Sequence, residues 1–436
     1  MDQKESGPAK APEPDQERSG RFRQTFASLK ERNFRIYASG QLVSLIGTWM
    51  QITALPWLVY SITKSASALG MVSFAGSLPL LLLTYFGGTL ADKFDRKKVL
   101  ITMQSLAMIQ AVLLFAVAFY GLTNIYLLVA LALFSGCITA LDLPSRQAFV
   151  ADLVGKENLT NAISLNSAIW NSSRMIGPAL AGLIIGLFGE AICFGINAFS
   201  FLASLGTLMA LKVVPKKADE NEPCGEADNP CKENESVFRV MLTPALLSVL
   251  LLSMITSTFG FTHGILMPVI VDEILKGTAE TLGILSAAAG LGALMGSLTL
   301  AGTKNNQRMS STIGLACLVL SLAIFTLGQS TSLTLSIAAI ALAGAAVSMQ
   351  LSGGMSIVQH TVSNSMRGRI MGVYSTCMIG FAPFAAMLAG TLGSSVGVTA
   401  TLSLCAAVVA GSALLYLLYL FYVRLTRPGK VRNDRS

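Results

Sequence analysis

The chain has 436 residues and a formal net charge of +8, with 53% hydrophobic and only 12% charged residues. Soluble globular proteins carry about 25% charged residues, so this apolar excess excludes a water-soluble chain. A transmembrane helix needs roughly 20 mainly apolar residues, and the chain has room for about a dozen of them. We therefore expect an all-α membrane protein.

The first segment, residues 1–33, is polar and contains Pro8, Pro12 and Pro14, which disfavour an early helix. It lacks the apolar core of a signal peptide. This composition predicts a disordered cytoplasmic N-tail.

Twelve apolar segments follow the tail and predict twelve transmembrane helices. The longest polar interruption, 213–240, has the composition of a flexible cytoplasmic linker. It divides the spans into an N-terminal six-helix bundle at 34–212 and a C-terminal one at 241–423, with a basic cytoplasmic C-tail at 424–436. The predicted helices 1 to 12 cover residues 36–61, 66–88, 99–121, 123–143, 159–188, 191–212, 244–269, 280–301, 311–328, 331–357, 369–393 and 397–423.

Basic residues predict the orientation of these spans, because cytoplasmic loops collect Lys and Arg. With the N-terminus inside, 28 of the 31 basic residues fall on cytoplasmic segments, and the outer loops keep only Lys64 and Lys276. Both termini are therefore expected in the cytoplasm. Topology and anionic lipids explain the positive charge, and nucleic-acid binding is not expected because no basic soluble domain is predicted.

The two halves of the chain repeat one another. Duplicated six-helix halves are typical of transporters in which one half rocks against the other. The matching positions are Leu69-Gly70 in helix 2 with Leu282-Gly283 in helix 8, and Gly177-Pro178 in helix 5 with Gly380 and Pro383 in helix 11.

The loop after helix 2, GTLADKFDRKK at residues 88–98, combines a glycine, an acid and a basic cluster. Its glycine is expected to permit close helix approach. Asp92 and Arg96 lie one turn apart and can pair with each other and with an acid on a neighbouring helix, for which Asp142 in helix 4 is the candidate. An ordinary positive-inside loop is the alternative. The predicted inner gate, which holds the halves together when the protein faces out, comprises Gly88, Asp92, Arg96, Lys97 and Asp142.

Helix 5 contains the small-residue segment GPALAG, in which Gly177, Pro178 and Gly182 are the candidate motif residues. Small residues let a neighbouring helix pack closely, and proline removes a backbone donor and kinks the helix. Ordinary small-residue packing is the alternative to a transport-specific role.

One charge lies several turns into helix 5, where its insertion costs a few kcal/mol. Asn166, Trp170 and Arg174 recur at i, i+4 and i+8, so they share one helix face. This face is expected to line a cavity and to meet an anionic or polar part of a substrate. A structural contact of Arg174 with Asn197 or with backbone carbonyls is the alternative.

Polar residues form further stripes that are candidates for cavity walls. A single Ser or Thr usually hydrogen-bonds to its own helix, so the set matters more than its members. The stripes are Gln41, Ser44, Thr48 and Gln51 in helix 1, Ser135, Thr139 and Asp142 in helix 4, Ser253, Ser257, Gly260 and His263 in helix 7, and Gln350 and Gly353 in helix 10.

Proton coupling has two titratable candidates, because no Asp or Glu lies clearly in the middle of a predicted span. His263 combines membrane depth with a side-chain pKa near physiological pH. A packing histidine is the alternative. Asp142 is the other candidate, although a gate role would compete with a coupling role.

The loop at 88–98 resembles the signature loop of the major facilitator superfamily, and GPALAG is similar to the antiporter motif of its proton-coupled exporters. Lys93 and Asp95 depart from the loop pattern, and the second copy at 302–308 lacks the acid. Longer stretches such as LDLPSRQAFVADLV look like the bacterial exporter branch that includes macrolide efflux proteins and enterobactin exporters. The resemblance covers about residues 30 to 424. It implies twelve helices, a pathway lined by helices 1, 4, 7 and 10, and export coupled to protons.

We therefore predict a secondary transporter that exports an amphipathic small molecule, a drug, siderophore or metabolite, across a bacterial inner membrane. An importer or a lysophospholipid flippase is the alternative on the same fold, and a non-transporting membrane sensor or assembly protein is the alternative of another class. An enzyme is not expected, because His263 and His360 lie on different hairpins without a nearby nucleophile or carboxylate cluster. No GxxxxGK[ST] loop for ATP occurs, no cofactor or metal is expected, and a monomer suffices.

Overall fold

The structure is a computed structural model that describes residues 27–122, 124–154, 158–211, 237–301, 306–362 and 366–426. Over these ranges the chain is helical and contains no β-strand. Of the predicted tails and linker, only residues 27–33, 237–240 and 424–426 are described. The remainder of those three predictions lies outside the described residues.

Six long helices build the N-terminal half after a short 3₁₀ turn, Ala27–Lys30. They are α1 Arg32–Thr63, α2 Ala66–Lys93, α3 Arg96–Phe119, α4 Ile125–Leu153, α5 Leu159–Phe188 and α6 Glu190–Ala210. Ser65 and Asp95 cap α2 and α3, since each side chain accepts a hydrogen bond from a backbone amide of the first turn. We call the end of the bundle that contains Ser65 the outer end and the end that contains Asp95 the inner end, in agreement with the orientation predicted from the basic residues.

Six further segments build the C-terminal half after a short helix, Val237–Met241. Two of these segments contain π-helical turns, which often occur at functional sites. Ser257 lies in a π-helical turn of the first segment, and its Oγ donates a 2.6 Å hydrogen bond to the carbonyl of Met378 in the π-helical turn of the second. The composite α7, residues 244–274, contains Pro244–Ile255, the π-helical Thr256–Gly260, Thr262–Ile265, Met267–Val269 and the π-helical Ile270–Ile274. Then come α8 Ala279–Ala301, α9 Asn306–Gln329, α10 Leu333–Thr361, the composite α11 (Arg367–Ser375, the π-helical Thr376–Gly380 and Ala382–Ser395) and α12 Val398–Thr426.

Eleven of these twelve segments are long and apolar enough to cross a membrane, judged over the described residues. The exception is α5, whose first half carries polar side chains such as Asn166, Asn171 and Arg174. Polar and charged groups at membrane depth need protein or water around them. The chain is therefore a multi-pass membrane protein in which the first half of α5 needs shielding from lipid.

Two helix pairs form the most extensive contacts between the halves, α2 with α11 and α5 with α8. Glycines bring the backbones together at both crossings, as expected for small residues in membrane helices. A Cβ on Gly70 would lie 2.6 Å from the Gly390 Cα, and a Cβ on Gly182 would lie 2.7 Å from the Gly283 Cα. Gly70 and Gly283 belong to the sequence repeat, so repeated residues form equivalent contacts toward the outer end.

Candidate functional site

A cavity of about 210 Å³ lies between the two halves. Helices α1 and α5 line it from the N-terminal half, and α7, α8 and α10 line it from the C-terminal half. Arg174 and His263 are its titratable lining groups, and no acidic side chain lines it among the described residues. The other lining residues include Trp49 of α1, Pro178 of α5 and Ser286 of α8.

Arg174 lies at the middle of α5 and contacts an aromatic pair. Its guanidinium carbon lies 5.7 Å from the centre of the Trp49 ring, and Trp49 packs edge-to-face on Trp170 with ring centres 5.8 Å apart. Among the described residues, no carboxylate forms an ion pair with Arg174. A cation–π contact contributes about 0.5–2 kcal/mol, whereas an arginine at a helix centre costs about 3 kcal/mol on insertion scales. Water or an anion is therefore needed to balance the charge.

The predicted polar face of α5 is only partly retained in the cavity. Arg174 lines it, Trp170 supports Trp49, and Asn166 is half-buried without being among the lining residues. Asn197, the alternative partner predicted for Arg174, donates its side-chain hydrogen bond to Gln51 instead.

His263 is buried in the cavity wall that α7 contributes. Its Nδ1 lies 2.5 Å from the Gly260 carbonyl oxygen. Because a carbonyl oxygen only accepts, Nδ1 carries a proton, and Nε2 is the nitrogen that can take another. A proton on Nε2 would place a second positive charge in the cavity that Arg174 already lines.

The GPALAG segment holds α5 between two neighbours beside the cavity. A Cβ on Gly177 would lie 2.5 Å from the Trp49 Cβ, and Gly182 forms the crossing with Gly283. Pro178 lines the cavity itself. The three motif residues therefore set the position of the helix that carries Arg174.

Gln51, predicted to line the cavity, instead forms a buried amide network inside the N-terminal half. Its Nε2 donates to Gln110 Oε1 at 3.0 Å, and its Oε1 accepts from Asn197 Nδ2 at 2.8 Å. Gln110 in turn donates to the Leu131 carbonyl at 3.2 Å. Buried amides need such partners, so Gln51 joins α1, α3, α4 and α6 and does not line this cavity.

Three other residues predicted to line the cavity are also absent from its lining. Gln41 is buried, and Thr48 donates to the Ser44 carbonyl of its own helix at 2.9 Å. Gln350 Nε2 donates to Ser253 Oγ at 3.0 Å and joins α10 to α7. Thr48 therefore follows the back-bonded alternative, and Gln350 connects two helices of the C-terminal half.

The basic loop at the inner end forms contacts that the sequence did not predict. Arg96 donates to both carboxylate oxygens of Asp152 at 2.9 Å. Lys97 Nζ donates to the Leu211 carbonyl at 2.7 Å and so stabilises the end of α6. The side chain of Asp92 lies outside what the structure describes.

Asp142, the predicted partner of Arg96, pairs with a different arginine. Its Oδ2 accepts from Arg146 at 2.8 and 2.6 Å, and its Oδ1 accepts from Gln104 Nε2 at 3.3 Å. The i, i+4 spacing on α4 lets Arg146 reach the carboxylate from within the same helix. This buried pair lies inside the N-terminal half.

Close packing at the start of the loop motif belongs to Gly87 and not to Gly88. A Cβ on Gly87 would lie 2.5 Å from the Ala140 carbonyl oxygen, whereas a Cβ on Gly88 would meet nothing within 4 Å. In this conformation the close helix approach is therefore made by Gly87, one residue before the predicted Gly88. A shift of one position turns a helical residue by about 100° to another face.

Two polar contacts close the outer end between the halves. Lys64 Nζ lies 3.0 Å from Asp272 Oδ2, and the Tyr60 hydroxyl donates to Glu273 Oε1 at 3.0 Å. They connect the end of α1 with the end of α7. The sequence analysis used only Lys64, as a residue of an outer loop, and predicted no role for Tyr60, Asp272 or Glu273.

The family model for transmembrane secretion effectors matches residues 23–427, which is nearly the whole chain. The chain belongs to this family. It is a membrane transporter of the major facilitator type, which confirms the resemblance found in the sequence. Its relatives are transporters and not enzymes.

Curated relatives of this transporter match over much of their length. The staphyloferrin A transporter of Staphylococcus aureus is 27% identical over 61% of this chain and 66% of its own length. The multidrug efflux pump Tap of Mycolicibacterium fortuitum is 25% identical over 81% and 88%. The enterobactin exporter EntS of Escherichia coli is 26% identical over 92% and 95%.

Solved structures support the fold. The crystal structure of a bacterial homologue of the human lysosomal transporter Spinster superposes with a TM-score of 0.67 over 89% of this chain and 96% of that one, at 14% sequence identity. At this identity the similarity concerns the fold alone.

Proposed function

We propose that this transporter exports an amphipathic small molecule, a drug, siderophore or metabolite, in exchange for protons. The observation that carries the proposal is the cavity that residues of both halves line. The glycine crossings and the Lys64–Asp272 pair join the two halves toward the outer end. Rocking the halves apart at that end would open the cavity outward, which is the alternating access of duplicated transporters.

The cargo class rests on the composition of this cavity and on the relatives. Apolar and aromatic walls with a few polar groups suit an amphipathic ligand. Relatives of the chain are named for a siderophore, for multiple drugs and for enterobactin. We further propose that the protein is located in a bacterial inner membrane, that both termini lie in the cytoplasm and that the protein functions as a monomer.

A deletion strain tests the export proposal. Its susceptibility to a drug panel and its secreted metabolites should both be compared with those of the complemented strain. We expect at least one compound to accumulate in the cells or to become more toxic. Unchanged profiles for every compound, or lower cellular uptake of one, would contradict export.

The coupling proton is proposed to bind either His263 or Asp142. In inverted vesicles that transport the identified cargo, His263→Gln should flatten the dependence of uptake on pH if His263 takes the proton. A full pH dependence in that variant would assign the proton to Asp142. If an imposed proton gradient leaves the transport rate of the unmodified protein unchanged, proton coupling would be contradicted.

A further inference from the structure

The charge in the central cavity is unbalanced. Arg174 and His263 line the cavity, its other lining side chains are uncharged, and none of the described carboxylates pairs with Arg174. The wall next to the arginine is the face of Trp49, which Trp170 holds from the side. A membrane-embedded arginine needs water or a partner to balance its charge, and the described residues provide no anion for Arg174.

We infer that Arg174 binds an anionic group of the cargo, while Trp49, which Trp170 holds from the side, contacts a planar apolar part beside it. This inference rests on the proposed function and narrows its substrate class. A guanidinium presents a planar set of donors that matches a carboxylate or a similar delocalised anion. Aromatic rings provide rigid apolar contact area next to it.

The size of the cavity limits how much of the cargo it holds. Pockets for whole drug-sized ligands measure about 300–1,000 Å³, whereas this cavity measures about 210 Å³. In this conformation it therefore accommodates one charged aryl or acyl arm of a larger molecule. The remainder of the cargo would extend away from the crossing of Gly182 and Gly283.

An anionic cargo also separates the two candidates for the coupling proton. A proton on His263 adds positive charge to the site and strengthens the binding of an anion. Exchange of a proton for an anion requires the opposite effect. His263 is therefore a second anion-binding group under this inference, and the exchanged proton has to bind elsewhere, with the buried carboxylate of Asp142 as the available group.

Tryptophan fluorescence can test the anion site directly. The chain has three tryptophans, of which Trp49 lines the proposed site and Trp170 packs directly against Trp49. Replacing the third, Trp57→Phe, leaves a signal from the site alone. Purified full-length protein in lipid nanodiscs would be titrated with phenylacetate and with its neutral analogue phenylacetamide, using Arg174→Gln and Arg174→Lys in the same background.

We expect phenylacetate to bind saturably to the protein that retains Arg174. Phenylacetamide should bind this protein with an affinity lower by about tenfold or more, which corresponds to about 1.4 kcal/mol. Phenylacetate should bind Arg174→Gln with a similarly reduced affinity. Arg174→Lys should retain part of the affinity. Equal affinities for the two probes, an unchanged affinity in Arg174→Gln, or no saturable signal from the unmodified site would overturn the inference.

A second pair of variants keeps the test valid if Arg174→Gln does not fold. Ser286→Asp adds a carboxylate to the cavity wall that α8 contributes, and it should weaken phenylacetate binding by competing for the arginine. Ser286→Asn has nearly the same size and should bind normally. Equal binding by the two variants would also overturn the inference.

Transport assays separate this inference from the proposed function. Arginine-dependent phenylacetate binding in a protein that exports nothing would preserve the anion site and remove the exporter proposal. Export that persists in Arg174→Gln, with no phenylacetate binding, would remove only the anion site.

Discussion

Arg96 donates two hydrogen bonds of 2.9 Å to Asp152 and so connects the first residue of α3 to the last turn of α4. The two side chains are 34% and 30% exposed, and exposed pairs of this kind contribute at most about 1 kcal/mol to stability. Both residues belong to the N-terminal half. The pair therefore fixes the shape of that half at its inner end.

Exchanging the two charges tests whether transport depends on this pair. Arg96→Asp and Asp152→Arg should each reduce the export rate severalfold, because each places like charges next to each other. The double variant should regain part of the rate. Lys98→Asp on the same loop is the control. A double variant no better than either single one would contradict a role for the pair.

Gly87 and Gly88 offer a matched test of close packing. Gly87→Ala should lower the thermal unfolding temperature and the export rate, because its Cβ would lie 2.5 Å from the Ala140 carbonyl oxygen. Gly88→Ala should leave the unfolding temperature unchanged, since its Cβ meets no atom within 4 Å in this conformation. If Gly88→Ala impairs export at normal stability, Gly88 packs closely in another state of the cycle.

The buried pair of Asp142 and Arg146 should show strong coupling. Asp142→Asn leaves the arginine charge buried without its partner, and losing one member of such a pair costs about 3–5 kcal/mol. The double variant Asp142→Asn with Arg146→Gln should be less destabilised than Asp142→Asn alone. Thermal unfolding of the purified proteins in one detergent measures this order, and a reversed order would contradict the pairing.

The amide network around Gln51 predicts a loss of stability without a change in binding. Gln51→Leu leaves the buried amides of Gln110 and Asn197 each short of a partner, and each unmet group costs about 1–3 kcal/mol. The apparent affinity for phenylacetate should stay the same, because Gln51 does not line the cavity. An altered affinity at unchanged stability would place Gln51 at the binding site after all.

The outer contacts predict a specific cross-link. Lys64 Nζ and Asp272 Oδ2 lie 3.0 Å apart, so a zero-length carbodiimide should join them in an amide that mass spectrometry can identify. Gly182→Val should lower the yield, because a larger side chain at the Gly283 crossing holds the outer end open. Gly206→Val, at a position with open space around its Cβ, should give the normal yield.

The membrane class, the helical fold and the two six-helix halves could be predicted from the sequence, because lipid requires long apolar helices and short polar turns. It also indicated Arg174 and His263, since a charge or a histidine at membrane depth stands out against apolar neighbours. The transporter family followed from the loop motif and from the longer stretches. These properties depend on composition and local spacing.

The partners of these residues could not be predicted from the sequence, because they depend on how the helices pack. Arg96 pairs with Asp152 because α3 begins beside the end of α4, and Asp142 pairs with Arg146 inside its own helix. Gln51 faces the interior of one half, and Trp49 of α1 lies under Arg174 of α5. Contacts between helices depend on rotation and on crossing geometry, and a change of one residue in register turns a side chain by about 100°.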